Sequence, residues 1–166
     1  MKPVTVLFVC LGNICRSPTA HGVFETMVRD EGLTDVITVD SAGTGDWHVG
    51  HAPDERTART ARQGGYDLDH LRARQVCVGD FGRFDYILAM DIANLRNLER
   101  IAPADFTGKL ALFLDYTDQP KRSEVPDPYS GGEEGFAQVL ELIEGASGAL
   151  LLHLKSVIAS PQSLSG

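Results

Sequence analysis

The sequence predicts an α/β protein: one doubly wound domain in which helices flank a four-stranded parallel sheet. Two observations support this. Short apolar runs alternate with stretches of helical spacing along the whole chain, which is typical of parallel strands joined by right-handed helical crossovers. The first run, residues 4–9, is apolar at five of its six positions, as expected when helices cover both faces of a sheet. Ligands of such sheets bind at the carboxyl ends of the strands.

Capping residues and glycines set the boundaries of the predicted elements. In the first helix, residues 18–31, Ser17 is the predicted N-cap, Pro18 takes the first position and Gly32 follows the end. Next come a second strand at residues 36–40, a loop at 47–53 and an arginine-rich helix at 54–63, closed by Gly64 and Gly65. The later elements are a third strand at 84–90, a helix at 91–101 capped by Asp91, a fourth strand at 109–114 and an acidic loop rich in proline and glycine at 115–132.

A long final helix is predicted from about residue 133, with one apolar face. Gly145 and Gly148 lie inside it, and because glycine weakens helices we expect a kink or a break there. Residues 160–166 are expected to form a frayed tail. The chain contains no repeats and no linker, so residues 1–159 are predicted to form a single domain.

Composition narrows the class of protein. The chain has 166 residues, 43% hydrophobic and 23% charged, which suits one globular core. Its net charge of −8 argues against broad nucleic-acid binding and requires an anionic substrate to be captured locally. No apolar run reaches about 18 residues, and the N-terminus does not resemble a secretory signal. We therefore expect no membrane span, a cytoplasmic location and, by default, a monomer.

The cysteines do not form a disulfide framework or a zinc-binding pattern. There are three of them, at Cys10, Cys15 and Cys77. The odd number and the spacing match neither pattern. His48, His51 and Asp54 are spaced as metal ligands could be, but loop histidines are more often simply solvated. We expect reduced, reactive thiols and neither a metal nor a cofactor.

The most informative segment follows the first strand. It consists of Cys10, Leu11, Gly12, Asn13, Ile14, Cys15, Arg16 and Ser17. A loop that joins a strand end to a helix N-terminus directs its backbone N–H groups inward and forms a cradle for anions. Arg16 adds two parallel donors for phosphate oxygens, and the same positive field favours the thiolate of Cys10. A thiolate at the base of such a cradle is suited to phosphoryl transfer onto sulfur.

Further motifs follow in a characteristic order. They are Asp40-Ser41-Ala42-Gly43-Thr44, His70 followed by Ala73-Arg74-Gln75, Met90-Asp91 and Asp127-Pro128-Tyr129. With the cysteine loop they resemble the low-molecular-weight protein tyrosine phosphatases, from residue 4 to the final helix. The resemblance implies an enzyme that hydrolyses phosphotyrosine in proteins, or small aryl phosphates, to inorganic phosphate through a phosphocysteine intermediate.

The resemblance also assigns the catalytic roles. Cys10 would be the nucleophile, Arg16 the phosphate clamp and Asp127 the general acid that protonates the leaving group and later activates water. An Asp-Pro pair is also a common turn opener. Asp115 and Asp118 lie in the same loop, but neither precedes Pro-Tyr.

Two aromatic residues are implied at the mouth of the site. In the resembling enzymes, loop aromatics at the places of Trp47 and Tyr129 wall a slot for a phenyl ring, which favours phosphotyrosine over phosphoserine. Many of these enzymes carry a second tyrosine where this chain has Ser130. Because of that difference, the sequence does not determine which substrates the outer rim of the site favours.

A supporting network and a second thiol are implied in the same way. Asn13 would keep its unusual backbone conformation through hydrogen bonds to Ser41 and His70. Ser17 would donate to the thiolate of the nucleophile, in addition to capping the helix. Cys15 would form a disulfide with the oxidised nucleophile, which would make the enzyme redox-sensitive.

Three other functions stay open on the sequence. Arsenate reduction, on the same fold, needs a further cysteine pair, and this chain has only Cys77. Phosphoarginine hydrolysis is associated with threonine where this chain has Ile14, whose apolar side chain favours an aryl phosphate. A module that only binds phosphate would need neither the nucleophile Cys10 nor the acid Asp127.

Overall fold

The protein is built on a four-stranded parallel sheet. The computed structural model describes residues 3–118 and 123–159. In the described chain the strands are β1 (Val4–Cys10), β2 (Ile37–Gly43), β3 (Tyr86–Ala89) and β4 (Lys109–Leu112). Their order across the sheet is β2-β1-β3-β4, and all neighbours are parallel. The predicted α/β architecture with four parallel strands is confirmed.

Five α-helices in the described chain connect and cover these strands: α1 (Arg16–Asp30), α2 (Glu55–Gln63), α3 (Asp80–Arg83), α4 (Ile92–Ile101) and α5 (Glu133–Ala159). A 3-10 turn, Phe113–Tyr116, follows β4 where the prediction extended the strand. The four-residue helix α3 was not predicted, because one turn is too short to show an apolar period.

The start of α1 differs from the prediction. The helix begins at Arg16 with Cys15 as N-cap, and no side chain caps it, so the assignment of Ser17 as N-cap is wrong. The Ser17 hydroxyl instead lies near Cys10 Sγ and bonds the Ala42 carbonyl. Pro18 is tolerated in this first turn because N–H groups there have no intrahelical partner.

The end of α1 follows the prediction. Gly32 adopts a φ of 70°, the left-handed region that glycine enters without steric cost. The Gly32 N–H donates to the Arg29 carbonyl over 3.0 Å, and the Leu33 N–H donates to the Val28 carbonyl over 2.9 Å. These two bonds satisfy the last carbonyls of the helix.

Both faces of the sheet are buried, as the apolar run in β1 predicts. Val6 and Phe8 contribute to a core shared with α1 and α5, whereas Leu7 and Val9 contribute to a second core under α3 and α4. The alternation follows from the two-residue period of a strand. Because β1 is covered on both faces and paired on both edges, its last residue, Cys10, is held in a fixed position.

Helix α5 runs through its glycines. The expected break at Gly145 and Gly148 is wrong, since one helix spans Glu133–Ala159. Buried side chains on both sides of the glycines, such as Ile143 and Leu150, hold it against the core, and this outweighs about 1 kcal/mol of lost propensity per glycine. By length and composition alone α5 could cross a membrane, but it packs against α1. The predicted frayed tail, residues 160–166, lies outside the described residues.

Candidate active site

The loop of residues 11–15, here the phosphate loop, connects the end of β1 to the start of α1. Strand β2 lies on one side of β1 and β3 on the other, so the chain changes direction across the sheet at this point. Open α/β sheets bind ligands in the crevice that forms at such a position. Topology therefore places the predicted phosphate cradle where a site is expected.

Cys10 forms the floor of the site. Its side chain is buried, with Sγ 3.3 Å from the Asn13 backbone N–H and 3.1 Å from Ser17 Oγ. An N–H donor and a hydroxyl can both stabilise a thiolate at this sulfur. The structure thus brings Cys10, Asn13 and Ser17 into contact with one another.

Asn13 holds the phosphate loop in shape. Its φ of 56° makes it left-handed, a conformation that asparagine tolerates better than most residues. Its side-chain amide donates to Ser17 Oγ over 2.7 Å, and its Oδ1 accepts from the Arg74 backbone N–H over 3.0 Å. The NH2 group and the carbonyl oxygen of the Asn13 side chain are therefore both hydrogen-bonded.

The predicted partners of Asn13 are wrong. Ser41 bonds His21 instead, with 3.0 Å between Ser41 Oγ and His21 Nδ1. His70 is exposed, and no described hydrogen bond joins it to Asn13. The residue that holds Asn13 is Arg74, through its backbone rather than its side chain.

Arg16 is the buried cation of the site, with 2% of its side chain exposed. Its Nη1 donates to Asp91 Oδ2 over 2.6 Å and to the Val125 carbonyl over 3.0 Å. Burial lowers the pKa of Arg16, but the charges of Cys10 and Asp91 raise it by more, so the pKa lies above its ordinary value. Within the described residues Nε has no partner. A buried donor without a partner is costly unless a ligand meets it.

Asp127 lies between this cation and solvent. Its Oδ2 is 3.7 Å from Arg16 Nη2, and its Oδ1 accepts from the Tyr129 N–H over 3.1 Å. The side chain is 44% exposed, so water and a leaving group can both reach it. Of its rivals, Asp118 lines a separate cavity beside α5 and Asp115 lines a groove beside β4. Asp127 is the loop carboxylate that lines the cleft over Cys10.

These residues surround a cleft of about 230 Å³. Its described lining consists of Cys10, Leu11, Gly12, Ile14, Cys15, Arg16, Trp47, His48, Asp127 and Tyr129. Trp47 and Tyr129 are exposed at the rim, as expected for walls of an open slot. A larger cavity of about 660 Å³ lies along α5 and has no cysteine in its described lining.

Cys15 lies in the same loop but in different surroundings. It packs in an apolar cluster with Ile14, Ala73 and Phe136. Burial raises the pKa of Cys15 to about 12, although the nearby Thr57 hydroxyl opposes this shift. Cys15 is therefore a neutral thiol at physiological pH.

Several residues that support the site were not predicted. Asp91 fixes Arg16, and His48 lies against Gly12, where an added Cβ would be 2.9 Å from the His48 ring. Asp91 was noted in the sequence as a helix cap and as part of the Met90-Asp91 motif, but not as the partner of Arg16. Its hydrogen bond with Arg16 joins residues 75 positions apart in the sequence, and no local sequence pattern can show such a contact. Among the described residues no group of three or more His, Cys, Asp or Glu side chains could hold a metal ion.

An ion-pair cluster around the buried carboxylate of Asp80 supports the phosphate loop from behind. The Arg74 guanidinium bonds Asp40 over 3.0 Å and Asp80 over 3.1 Å, and Asp80 also accepts from Arg83 over 2.7 Å. Burial alone would raise the pKa of Asp80, but the hydrogen bonds from Arg74 and its neighbours hold it below the ordinary value. This cluster fixes the segment whose Arg74 backbone N–H bonds Asn13.

A family model of low molecular weight phosphotyrosine protein phosphatases matches residues 5–160 of this chain. The chain belongs to this family. It is therefore a phosphatase, and the resemblance seen in its motifs is confirmed. The phosphatase of Schizosaccharomyces pombe with the same family name is 48% identical over 136 residues, which cover 81% of this chain and 86% of the relative. That of Streptomyces coelicolor is 44% identical over 156 residues, which cover 92% and 94%.

Solved structures of similar proteins agree with this assignment. The protein tyrosine phosphatase of Entamoeba histolytica, solved with Hepes in its active site, superposes on this phosphatase with a TM-score of 0.88 at 40% identity, covering 92% of this chain and 97% of the other. A Drosophila arginine phosphatase superposes with a TM-score of 0.86 at 36% identity, covering 94% and 99%. The fold is thus shared by enzymes named for two different phosphorylated residues.

Proposed function

We propose that this phosphatase hydrolyses phosphotyrosine and small aryl phosphate monoesters through a cysteinyl-phosphate intermediate. The observation that carries the proposal is the position of Cys10 Sγ. It lies on the floor of the cleft, within 3.3 Å of the Asn13 N–H and of the Ser17 hydroxyl, beside the buried cation Arg16. This arrangement supports nucleophilic attack on a bound phosphate.

In the first step the Cys10 thiolate attacks phosphorus opposite the ester oxygen. The S–P bond forms as the P–O bond to the phenol breaks. Arg16 and the backbone N–H groups of the phosphate loop hold the three equatorial oxygens, where negative charge is spread in the transition state. Asp127, protonated in the reacting complex, gives its proton to the departing phenolate oxygen.

In the second step water attacks the phosphorus of the intermediate. Asp127, now a carboxylate, accepts a proton from this water, and the S–P bond breaks. The Ser17 hydroxyl, 3.1 Å from Cys10 Sγ, stabilises the departing thiolate. Inorganic phosphate leaves, and both Cys10 and Asp127 recover their starting states once Asp127 retains the proton.

The shape and polarity of the cleft favour an aromatic substrate. Ile14 and the rim residues Trp47 and Tyr129 offer apolar surface to a phenyl ring, and each stacking contact contributes about 1 kcal/mol. Because Cys10 is buried at the bottom, a short phosphorylated side chain would not reach it. A phosphotyrosine-bearing protein in the cytoplasm is the proposed partner, acted on by a monomer. Phosphoarginine is the competing substrate, suggested by the Drosophila neighbour.

The test compares purified variants on phosphotyrosine peptide, phosphoarginine and arsenate with a thiol reductant. Cys10→Ser should abolish turnover, and Asp127→Asn should lower kcat/KM for the peptide by a factor of about 100 or more. Asp118→Asn changes a carboxylate of the same loop that does not line the described cleft, and it should behave as wild type. An active Cys10→Ser, or faster turnover of phosphoarginine or arsenate, would contradict the proposal.

We also propose that oxidation controls the enzyme reversibly. Peroxide would convert the Cys10 thiolate to a sulfenic acid, and Cys15 would then displace water to give a disulfide. Both cysteines are free thiols in this structure and flank the same loop. Dithiothreitol should restore the activity of peroxide-treated wild type but not that of Cys15→Ser, in which Cys10 would oxidise further.

A further inference from the structure

The loop that carries Asp127, residues 125–131, is here called the acid loop. Its first attachment is at Val125, which is fully buried. The Val125 N–H donates to the Met90 carbonyl over 2.8 Å, and its carbonyl accepts from Arg16 over 3.0 Å. This attachment lies before Asp127 and belongs to the core of the site.

The second attachment lies after Asp127 and depends on one side chain of α2. Arg56 Nη2 donates to the Tyr129 carbonyl over 2.8 Å, and Nη1 donates to the Gly131 carbonyl over 3.4 Å. The N–H of the same Tyr129 donates to Asp127 Oδ1 over 3.1 Å. Arg56 therefore holds the residue that orients the proposed general acid.

Arg56 is itself fixed from the phosphate loop. Its Nε and Nη2 bond the two oxygens of Asp54 over 3.2 and 3.1 Å. The Asp54 backbone N–H donates to the Ile14 carbonyl over 2.9 Å, which attaches this pair to the phosphate loop. The guanidinium centre also lies 4.6 Å from the ring centroid of Phe136.

The Asp54 carboxylate stays charged at neutral pH. Burial raises the pKa of Asp54, but the hydrogen bonds from Arg56 outweigh it and leave the pKa below its ordinary value. The guanidinium thus has a permanent anionic partner on one edge and two carbonyls on the other. Only a planar group with several donors can serve all of them together.

We propose that Arg56 is a positioning residue for the general acid: it bridges the phosphate loop and the acid loop, and so sets where Asp127 stands over the Cys10 sulfur. The proposal rests on the proposed function, in which Asp127 protonates the leaving group. Arg56 touches neither the nucleophile nor the phosphate, and none of its described contacts is with Cys10 or Arg16. Its effect should therefore appear in proton donation and not in phosphate binding.

The experiment measures kcat/KM for a series of aryl phosphates whose leaving groups differ in basicity. Phenyl phosphate needs protonation as it departs, whereas 2,4-dinitrophenyl phosphate departs without it. For Arg56→Lys and Arg56→Ala we expect kcat/KM for phenyl phosphate to fall about tenfold or more, with less than about a twofold change for the dinitrophenyl ester. A residue that only stabilised the fold would lower both by the same factor.

Arg59→Ala is the matched control. Arg59 lies one turn further along α2, and its exposed ion pair with Glu133 Oε1, 3.1 Å long, does not reach the acid loop backbone. It should leave both substrates unchanged. Thermal unfolding of each variant is recorded, and Arg56→Lys, which keeps the charge and the stem, decides the outcome if Arg56→Ala loses its fold.

The Asp127→Asn variant distinguishes the proposed role of Asp127 as general acid from the proposed positioning role of Arg56. In this variant kcat/KM should fall for phenyl phosphate and change little for the dinitrophenyl ester. If both fall equally or neither falls, the role of Asp127 in the proposed function is wrong. If Asp127→Asn shows the dependence while Arg56→Lys lowers both substrates equally or neither, the positioning role of Arg56 is overturned and the proposed function stands.

Discussion

At the scale of single residues, two cysteines of one loop differ because their neighbours differ. Cys10 has an N–H and a hydroxyl beside its sulfur, whereas Cys15 is enclosed by Ile14, Ala73 and Phe136. Thiolates are stabilised by donors and destabilised by apolar burial. One sequence motif thus contains two thiols in chemically different environments.

Selective alkylation tests this difference. The pKa of Cys15 is raised to about 12, so at pH 8 it is a neutral thiol and should not react with iodoacetamide until urea unfolds the protein. Cys10 should be alkylated in the folded protein, and vanadate in the cleft should block this reaction. Exposed Cys77 serves as the internal control. Tandem mass spectrometry locates the label, and rapid labelling of Cys15 in the folded protein would contradict the assignment.

The residues of the site were predictable where chemistry and local spacing coincide. Cys10 and Arg16 were singled out because their residue types, spacing and flanking elements fit one reaction, whereas Asp127 was assigned through the family resemblance. The partners of Asn13 were not, since a hydrogen bond across 61 residues depends on how two loops meet. His21 and Arg56 were missed for the same reason.

At the scale of secondary structure, the end of β2 fits tightly against the phosphate loop. A Cβ added at Gly43 would lie 2.7 Å from the Leu11 carbonyl oxygen and 3.0 Å from the Asn13 nitrogen. Both are backbone atoms, so the phosphate loop itself would have to move. Nothing lies within 4 Å of a Cβ added at Gly148 in α5.

Two alanine substitutions should therefore act in opposite directions. We expect Gly43→Ala to lower kcat/KM about tenfold or more and the free energy of unfolding by about 1–3 kcal/mol, because it overpacks the site. Gly148→Ala should raise the free energy of unfolding by about 0.5–1 kcal/mol through helix propensity, with wild-type kinetics. Urea denaturation and steady-state assays measure both. Full activity of Gly43→Ala would contradict this prediction, because it would show that the phosphate loop can move away from the added Cβ without loss of function.

Element boundaries were predicted best where a capping residue marks them. Asp91 caps α4 as the sequence indicates, with a side chain that accepts from the Asn94 backbone N–H. Asp54, predicted as the first residue of its helix, is the N-cap of α2. Ser17 is not the cap because α1 already begins at Arg16, and its hydroxyl lies 3.1 Å from Cys10 Sγ. The break predicted at Gly145 and Gly148 does not occur in α5, because packing of the whole helix outweighs the low helix propensity of glycine.

At the scale of the whole molecule, the candidate site contains the buried cation Arg16 although the chain carries a net charge of −8. Arg16 and the loop N–H groups act at contact distance, whereas distant surface charges are screened by salt. The alternation of apolar runs and helical stretches correctly predicted the α/β fold, but composition cannot show how charged side chains are distributed. The paired arrangement of Arg74, Asp40 and Asp80 appears only in three dimensions.

The pKa of Asp80 links this cluster to acid stability. A carboxylate whose pKa is lower in the folded state stabilises the fold above its unfolded value of about 3.9, and this contribution is lost as the pH falls through the folded value. The free energy of unfolding of the wild type should therefore fall from about pH 5 downward. Asp80→Asn should be less stable at pH 7 by about 2–4 kcal/mol and should depend less on pH in the acid range. Urea titrations at several pH values measure this.

An exposed carboxylate provides the control for that titration. Glu99 pairs with Arg96 at the surface of α4, and exposed pairs contribute little to stability. Glu99→Gln should therefore keep the wild-type curve. If Asp80→Asn kept the full acid slope, the pH dependence would have to come from other carboxylates such as Asp54.

The two reacting groups are attached to parts of the molecule with very different resistance to local opening. The nucleophile ends a strand that is bonded on both edges, so exposing it means dismantling the sheet. Within the described chain the acid loop is held by the hydrogen bonds of Val125 and by the guanidinium groups of Arg16 and Arg56, and not by strand pairing, so we expect it to detach while the sheet stays intact. If Asp127 and Cys10 act as proposed, warming should abolish proton donation before it exposes the sulfur nucleophile, and the enzyme should then still hydrolyse activated esters while it no longer hydrolyses phosphotyrosine.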